Sequence, residues 1–243
     1  MTSSLVLEDA REYIFPVFSV EAEVDGIHLH SRIFLGTAFF VTKKGDAISA
    51  SHIFPSPESL QEAGRRLVAI ILHEDKETPY WITHIARFEA VDMVLLHVNS
   101  DNTKYLPIST HEILTGTDVL IAGIPDYELN MSGKEMRILK GHVTLAWKRL
   151  ELNFPVPAGM SGSPVFAGAK VIGYSTGQVR SEELEETTES IEEVSNNKEI
   201  IRITETKRIS YYGIASAFHS QANQSDAILG DKTLFEFIDS QNV

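Results

Sequence analysis

Val156-Pro157-Ala158-Gly159-Met160-Ser161-Gly162-Ser163-Pro164-Val165-Phe166 is the stretch on which the reading of this 243-residue chain turns. A serine stands between glycines, and a run of strand-forming residues begins directly after it. Glycines let a backbone turn tightly with no Cβ in the way, so the Ser161 hydroxyl can project from a turn whose peptide N–H groups meet at one point. A nucleophile for acyl transfer needs that setting, and the amides of Gly159 and Ser161 are then the candidate donors to an oxyanion. The segment Gly-Met-Ser-Gly-Ser-Pro also reads as a plain β-turn, because Gly, Ser and Pro are the common turn residues. The choice between the two readings lies elsewhere in the chain.

A hydroxyl near neutral pH is a weak nucleophile and needs a general base within hydrogen-bond reach. His52 is the candidate. It follows Gly36-Thr37-Ala38-Phe39-Phe40-Val41-Thr42-Lys43-Lys44-Gly45-Asp46-Ala47-Ile48-Ser49-Ala50-Ser51, two β runs joined by a turn, where small residues let the second run end tightly. An imidazole acting as base needs an acceptor on its other nitrogen, to fix the tautomer and stabilise the imidazolium. Asp92 opens the apolar run Met93-Val94-Leu95-Leu96 and offers a carboxylate at the entrance to a buried element, where a charge without a partner is costly. Each residue alone has an ordinary alternative. His52 is one of nine histidines, and Asp92 could hydrogen-bond local backbone at a strand edge.

Outward from these segments, apolar residues between about Ile14 and Ala217 come in short runs rich in Val, Ile, Phe and Tyr, separated by Gly, Pro, Asp, Asn and Ser. Strands are expected at Phe15 to Val24, His28 to Val41, Ala47 to Ala50, Leu67 to His73, Tyr80 to Arg87, Met93 to Val98, Asp118 to Ala122, Met136 to Leu145, Pro164 to Phe166, Val171 to Gln178 and Tyr211 to Ala217. The pattern is all-β and fits a closed barrel or sandwich better than a βαβ sheet. Two stretches depart from it. Residues 182–199 hold eight glutamates against the single Lys198 and read as an exposed acidic insertion, bounded at 181–199. Gly230 to Ser240 places Leu234, Phe237 and Ile238 at helical spacing after Asp231, so a closing amphipathic helix is expected over 230–240. The polar stretch Ser100 to Gly116 is the natural division between a unit over 1–110, carrying His52 and Asp92, and a unit over 111–243, carrying Ser161.

Composition limits the partners. The formal charge is −13, so a phosphate-tracking surface is not expected and nucleic acid is a poor partner. There is no cysteine, which removes disulfides, a thiolate nucleophile and a cysteine-based zinc site. The longest apolar runs, Leu67 to Leu72 and Ile33 to Val41, are far too short to cross a bilayer, so no membrane association is expected. Met1 to Leu7 lead into Glu8 and Asp9 without the basic start of a secretory signal. The expectation is a cytoplasmic protein with no cofactor. His28 and His30 sit two apart on an expected strand, but no third ligand declares itself, so no metal is called.

Taken together, Gly-Thr-Ala-Phe-Phe-Val followed by Ala50-Ser51-His52, then Val91-Asp92-Met93-Val94-Leu95-Leu96, then Gly159-Met160-Ser161-Gly162-Ser163-Pro164 resemble the three signature segments of trypsin-like serine peptidases, in that family's order. The resemblance spans roughly residues 14 to 220. It implies two six-stranded antiparallel β-barrels with the site in the cleft between them, followed by a C-terminal helix. It further implies a serine endopeptidase with His52, Asp92 and Ser161 as catalytic triad and the Gly159 and Ser161 amides as oxyanion hole. Met160 stands where digestive members of the family carry an aspartate that pairs with a newly cut N-terminus, so activation by N-terminal cleavage is not expected. The lack of cysteine and Ser163 in place of a second glycine look more like bacterial members.

By the same resemblance the primary pocket is walled by Pro155 and Val156, by the strand Tyr174-Ser175-Thr176-Gly177 and by the strand around Gly213 and Ala215. No acidic residue sits at its base, so an apolar or small side chain is the expected occupant. The strand Ser175 to Gly177 is expected to bind substrate backbone as an added strand. The partner is a protein or peptide substrate. Two further readings stay open: a protease component of a larger assembly, silent until a regulatory protein binds, and a non-catalytic binding module of the same fold. The acidic insertion is expected to restrain access to the cleft.

Overall fold

Alternate residues of a strand point to opposite faces, so a strand apolar at every position must lie between two cores. Met93–Val98 (β6), apolar at every position but His97, behaves as such a strand. Its Val94, Leu96 and Val98 pack with Phe15, Val17, Ala38, Phe40, Leu67 and Ile82 inside one barrel. Its Met93 and Leu95 face the other way, into a cluster with Phe39, Ile48, Phe166, Tyr174, Phe218 and Leu234. The second cluster draws residues from both halves of the chain and joins them.

The coordinates are a computed structural model. Residues 10–21, 31–73, 76–100, 104–126, 136–147, 149–191, 200–219, 228–229 and 232–242 are described. A short helix, Ala10–Tyr13 (α1), leads into Ile14–Glu21 (β1), Ile33–Phe40 (β2) and Asp46–Ala50 (β3). Helix Pro57–Glu62 (α2) precedes Arg65–His73 (β4) and Lys76–Phe88 (β5), and β6 completes the set. These strands close as an antiparallel barrel in the order β1-β2-β3-β6-β5-β4. Asp118–Gly123 (β7), Arg137–Ala146 (β8), Arg149–Leu152 (β9), Pro164–Ala167 (β10), Lys170–Ile191 (β11) and Ile200–Ala217 (β12) close a second, in the order β10-β11-β12-β9-β8-β7. Its interior is filled by Val119, Ile121, Val143, Leu150, Leu152, Val165 and Ile172, joined by Val156 and Met160 from the loop before Ser161. The two-barrel fold expected from the resemblance is present.

After the small hairpin Ile228–Leu229 (β13) and Lys232–Thr233 (β14) comes the closing helix, Leu234–Gln241 (α3). It starts at Thr233 rather than near Asp231, because Thr233 and Glu236 form a reciprocal capping box. Leu234 and Ile238 bury into the cluster between the barrels. Past its end, the Asn242 side chain donates to the Val41 carbonyl at 3.0 Å and accepts from the Lys43 amide at 3.1 Å. The helix that follows the second barrel is thereby tied to a turn of the first.

Several features depart from the sequence reading, among them the short helices α1 and α2, which were not expected. Strand β9 was not expected, since four residues alternating Arg, Leu, Glu, Leu give too short a signal. Within the acidic stretch, Glu182 to Ile191 continue β11 and pair with Ile200 to Ile209 of β12, so a two-stranded ribbon stands where an insertion without strands was expected. Residues 192–199, and His28 and His30, lie outside the described residues. Among the described residues no helix is long and apolar enough to cross a membrane, and no cluster of His, Asp and Glu could hold a metal ion.

Candidate active site

Pairing of β3 with β6 sets the first part of the site. Ala50 lies opposite Met93, so the residues just beyond, His52 on the 3-10 turn Ser51–Ile53 and Asp92 just before β6, meet at one end of the barrel. The Asp92 carboxylate accepts twice from His52, from the backbone N–H at 2.9 Å on Oδ1 and from Nδ1 at 2.7 Å on Oδ2. The Asp92 carbonyl accepts from the Ser51 amide at 2.9 Å. A carboxylate can only accept, so Nδ1 carries the proton and Nε2 keeps its lone pair. The Asp92 hydrogen bond lifts the His52 pKa above its ordinary 6.5, partial burial opposes this, and the Asp92 charge adds to the lift.

Asp92 itself has φ +54°, the one non-glycine in the left-handed region among the described residues. Such a backbone persists where its surroundings hold it. Here the second barrel helps: the Tyr174 hydroxyl donates to the Val91 carbonyl at 2.5 Å, and Ser216 Oγ donates to the same oxygen at 3.4 Å. Tyr174 is fully buried in the cluster between the barrels.

The loop carrying Ser161 is held peptide by peptide. Ala158 O accepts from Asp126 N at 3.0 Å, Gly159 O from Thr37 Oγ1 at 3.2 Å, Met160 O from Ser163 N at 3.1 Å and Ser161 O from Thr37 N at 3.0 Å. The amides of Met160, Gly162 and Ser163 donate to Pro157 O, Ser175 O and Met160 O. Between them, the amides of Gly159 and Ser161 donate to no protein group among the described residues. In a trans peptide the C=O and N–H point opposite ways, so pinning the Ala158 and Met160 carbonyls also aims those two amides.

Close approach of the barrels brings Ser161 beside the His52 turn. A Cβ on Gly162 would lie 2.1 Å from Thr37 O, 2.2 Å from Ser49 Oγ and 3.1 Å from Ala50 N, so this glycine lies against the strand leading to His52. A Cβ on Gly36 would lie 3.0 Å from Ser161 O and 2.6 Å from Ile53 Cδ1. Ser161 is half-buried, and no hydrogen bond joins it to His52 among the described residues. His52 and Asp92 are therefore in direct contact, and Ser161 is placed next to them through backbone.

Of the pocket residues expected from sequence, Val156, Tyr174, Ser175, Gly213 and Ala215 are buried, while Thr176 and Gly177 are half-exposed. Gly213 lies under Val156, whose Cγ2 would be 2.6 Å from an added Cβ. Beyond Ser175, β11 has β12 on one side and no described strand on the other. Thr37 and the Tyr174 hydroxyl were not singled out from sequence. Their partners lie 83 to 122 positions away, which no local pattern reveals.

Comparison with known proteins agrees with this architecture. The trypsin-like peptidase domain family matches residues 36–173, more than half of the chain. No curated protein matches the sequence. Among solved structures, Deg5 superposes with a TM-score of 0.57 at 14% identity, covering 72% of this chain and 83% of that one. A serine endoprotease from Yersinia pestis superposes with a TM-score of 0.54 at 15% identity, covering 72% of this chain and 57% of that one. At these identities the two structures share the fold.

Proposed function

This chain belongs to the family of trypsin-like peptidases, and from that premise we propose that it is a serine endopeptidase working through an acyl-enzyme. Ser161 Oγ attacks the scissile carbonyl carbon while His52 Nε2 takes its proton. The Gly159 and Ser161 amides hold the oxygen as it becomes an anion, and Asp92 stabilises the imidazolium. The proton passes from His52 to the leaving amine as the C–N bond breaks. Water, deprotonated by His52, then attacks the Ser161 ester, and collapse of the second tetrahedral intermediate returns the proton to Ser161. The observation that carries this reading is the two-point contact of His52 with Asp92, which leaves Nε2 as an acceptor.

The substrate is a protein or peptide lying as an added strand against Thr176 to Gln178 of β11, where the strand edge has no described neighbour. Val156, packed on Gly213, and Ala215 give the primary pocket apolar walls with no charged partner, which favours a small uncharged side chain. The formal net charge of −13 weighs against nucleic acid.

The test is acylation by a p-nitrophenyl ester, quenched in acid and read by mass spectrometry. An acyl adduct on Ser161, absent from Ser161→Ala, is the expected result; a folded wild type that never acylates contradicts the proposal. The open contact between Ser161 and His52 favours one second reading, a protease whose site closes when a partner or substrate binds, since catalytic hydrogen bonds of free enzymes tighten on binding. In that case acylation would rise when the partner is added.

A further inference from the structure

We infer that Thr37 is a positioning residue whose buried hydroxyl sets the oxyanion turn, doing from the first barrel what an ion pair at position 160 would otherwise do. The inference rests on the proposed role of Ser161. Met160 is fully buried among the side chains filling the second barrel and carries no charge, so it fills space without orienting the peptides on either side of it. The groups that do orient them converge on Thr37.

Thr37 lies on β2, fully buried, and its amide and its hydroxyl both face the loop. Its amide donates to Ser161 O at 3.0 Å. Its hydroxyl accepts from Ile124 N at 3.2 Å and has one proton to give, shared between Gly159 O at 3.2 Å and Ile124 O at 3.3 Å. Ile124 begins the short segment whose Asp126 amide holds Ala158 O at 3.0 Å. The hydroxyl thus acts on both sides of the Gly159 amide: directly on the carbonyl that follows it, and through residues 124–126 on the carbonyl that precedes it. Thr37 is fixed in turn by Ser49 Oγ, which donates to its carbonyl at 2.6 Å. Ser49 stands three residues before His52 on the strand that delivers it, so the base and the oxyanion donors share one support.

Loss of the hydroxyl leaves Ile124 N and Gly159 O short of a partner in a buried place and loosens residues 124–126, whose Asp126 amide holds the Ala158 carbonyl and thereby aims the Gly159 amide of the same peptide. The transition state needs the Gly159 amide aimed more than the ground state does, so the loss falls on turnover rather than on substrate binding.

The test compares wild type with Thr37→Val, which removes the hydroxyl at nearly constant shape, and Thr37→Ser, which keeps it. With a p-nitrophenyl ester, kcat of Thr37→Val is expected to fall about tenfold to a hundredfold, with KM little changed and most of the loss recovered in Thr37→Ser. Hydrogen exchange by mass spectrometry in a peptide spanning residues 156–163 is expected to quicken in Thr37→Val and not in Thr37→Ser. Thermal melting checks that each variant is folded, and Thr37→Ala replaces the valine variant should that one not fold. A folded hydroxyl-free variant with wild-type kcat, or with unchanged exchange across 156–163, overturns the inference. A wild type that neither acylates nor turns over sinks the reading of Ser161 as nucleophile, and the exchange comparison then decides the role of Thr37 by itself.

Discussion

At His52 three influences meet: the Asp92 hydrogen bond and charge raise its pKa above 6.5, and partial burial lowers it. A general base acts only when neutral, so activity has to rise with pH through the raised value. The acid limb of kcat/KM is expected above pH 6.5, and Asp92→Asn is expected to move it downward while cutting kcat by about three to four orders of magnitude. A pH–rate profile of both proteins checks this; limbs that coincide contradict it. The same shift favours the folded state below pH 6.5, and the benefit is lost as pH rises through the raised value, a small term for a half-exposed pair. The contact of His52 with Asp92 was legible because each sits at a strand end, with small residues or an apolar run marking the place. Thr37 was visible only as a strand residue, because its meaning depends on Ile124, Gly159 and Ser161, which chain distance hides.

Among elements, β11 does two jobs. Its first part delivers Tyr174, whose hydroxyl holds the Val91 carbonyl beside the left-handed Asp92. Tyr174→Phe keeps the ring in the core and removes only that bond. It is expected to lower stability by about 1 kcal/mol in urea unfolding and to lower kcat, with KM little changed. Its second part runs past Arg180 as a ribbon with β12, where neither strand pairs with a third among the described residues. A two-stranded ribbon alone is marginal in water, so it adds little to the stability of the barrel. Removing residues 183–208 and closing the strands with a two-residue turn is expected to leave the melting temperature unchanged, and a marked drop would show the ribbon to be part of the core. Glutamates are poor strand formers, which hid this ribbon in the sequence. The ribbon rests on a register that pairs Glu182 to Ile191 with Ile200 to Ile209, and a register is not a local property.

For the whole molecule, both sheets close as barrels, and the cluster between the barrels fixes how the two halves face each other. The proposed site depends on that arrangement, since His52 and Asp92 come from one barrel and Ser161 from the other. Gly162 marks the closest approach: its φ of +85° and the oxygens 2.1 and 2.2 Å from where a Cβ would stand leave no room for a side chain. Gly162→Ala is expected to cost about 2 kcal/mol or more and to abolish acylation, and unfolding at an unchanged denaturant midpoint would contradict that. The all-β class was legible from run lengths and turn residues, whereas the two-barrel topology came from the resemblance of the segments around His52, Asp92 and Ser161 to trypsin-like peptidases. Pairings such as β1 with β4 join segments nearly fifty positions apart, and strand patterns do not announce their partners. The central claim is that these three residues form one working assembly across the cleft. Its most direct test is labelling by a fluorophosphonate probe, with the modified residue found by mass spectrometry. The account predicts labelling at Ser161 that disappears in Ser161→Ala and in His52→Ala; a folded wild type left unlabelled, or labelled equally well without His52, would contradict it.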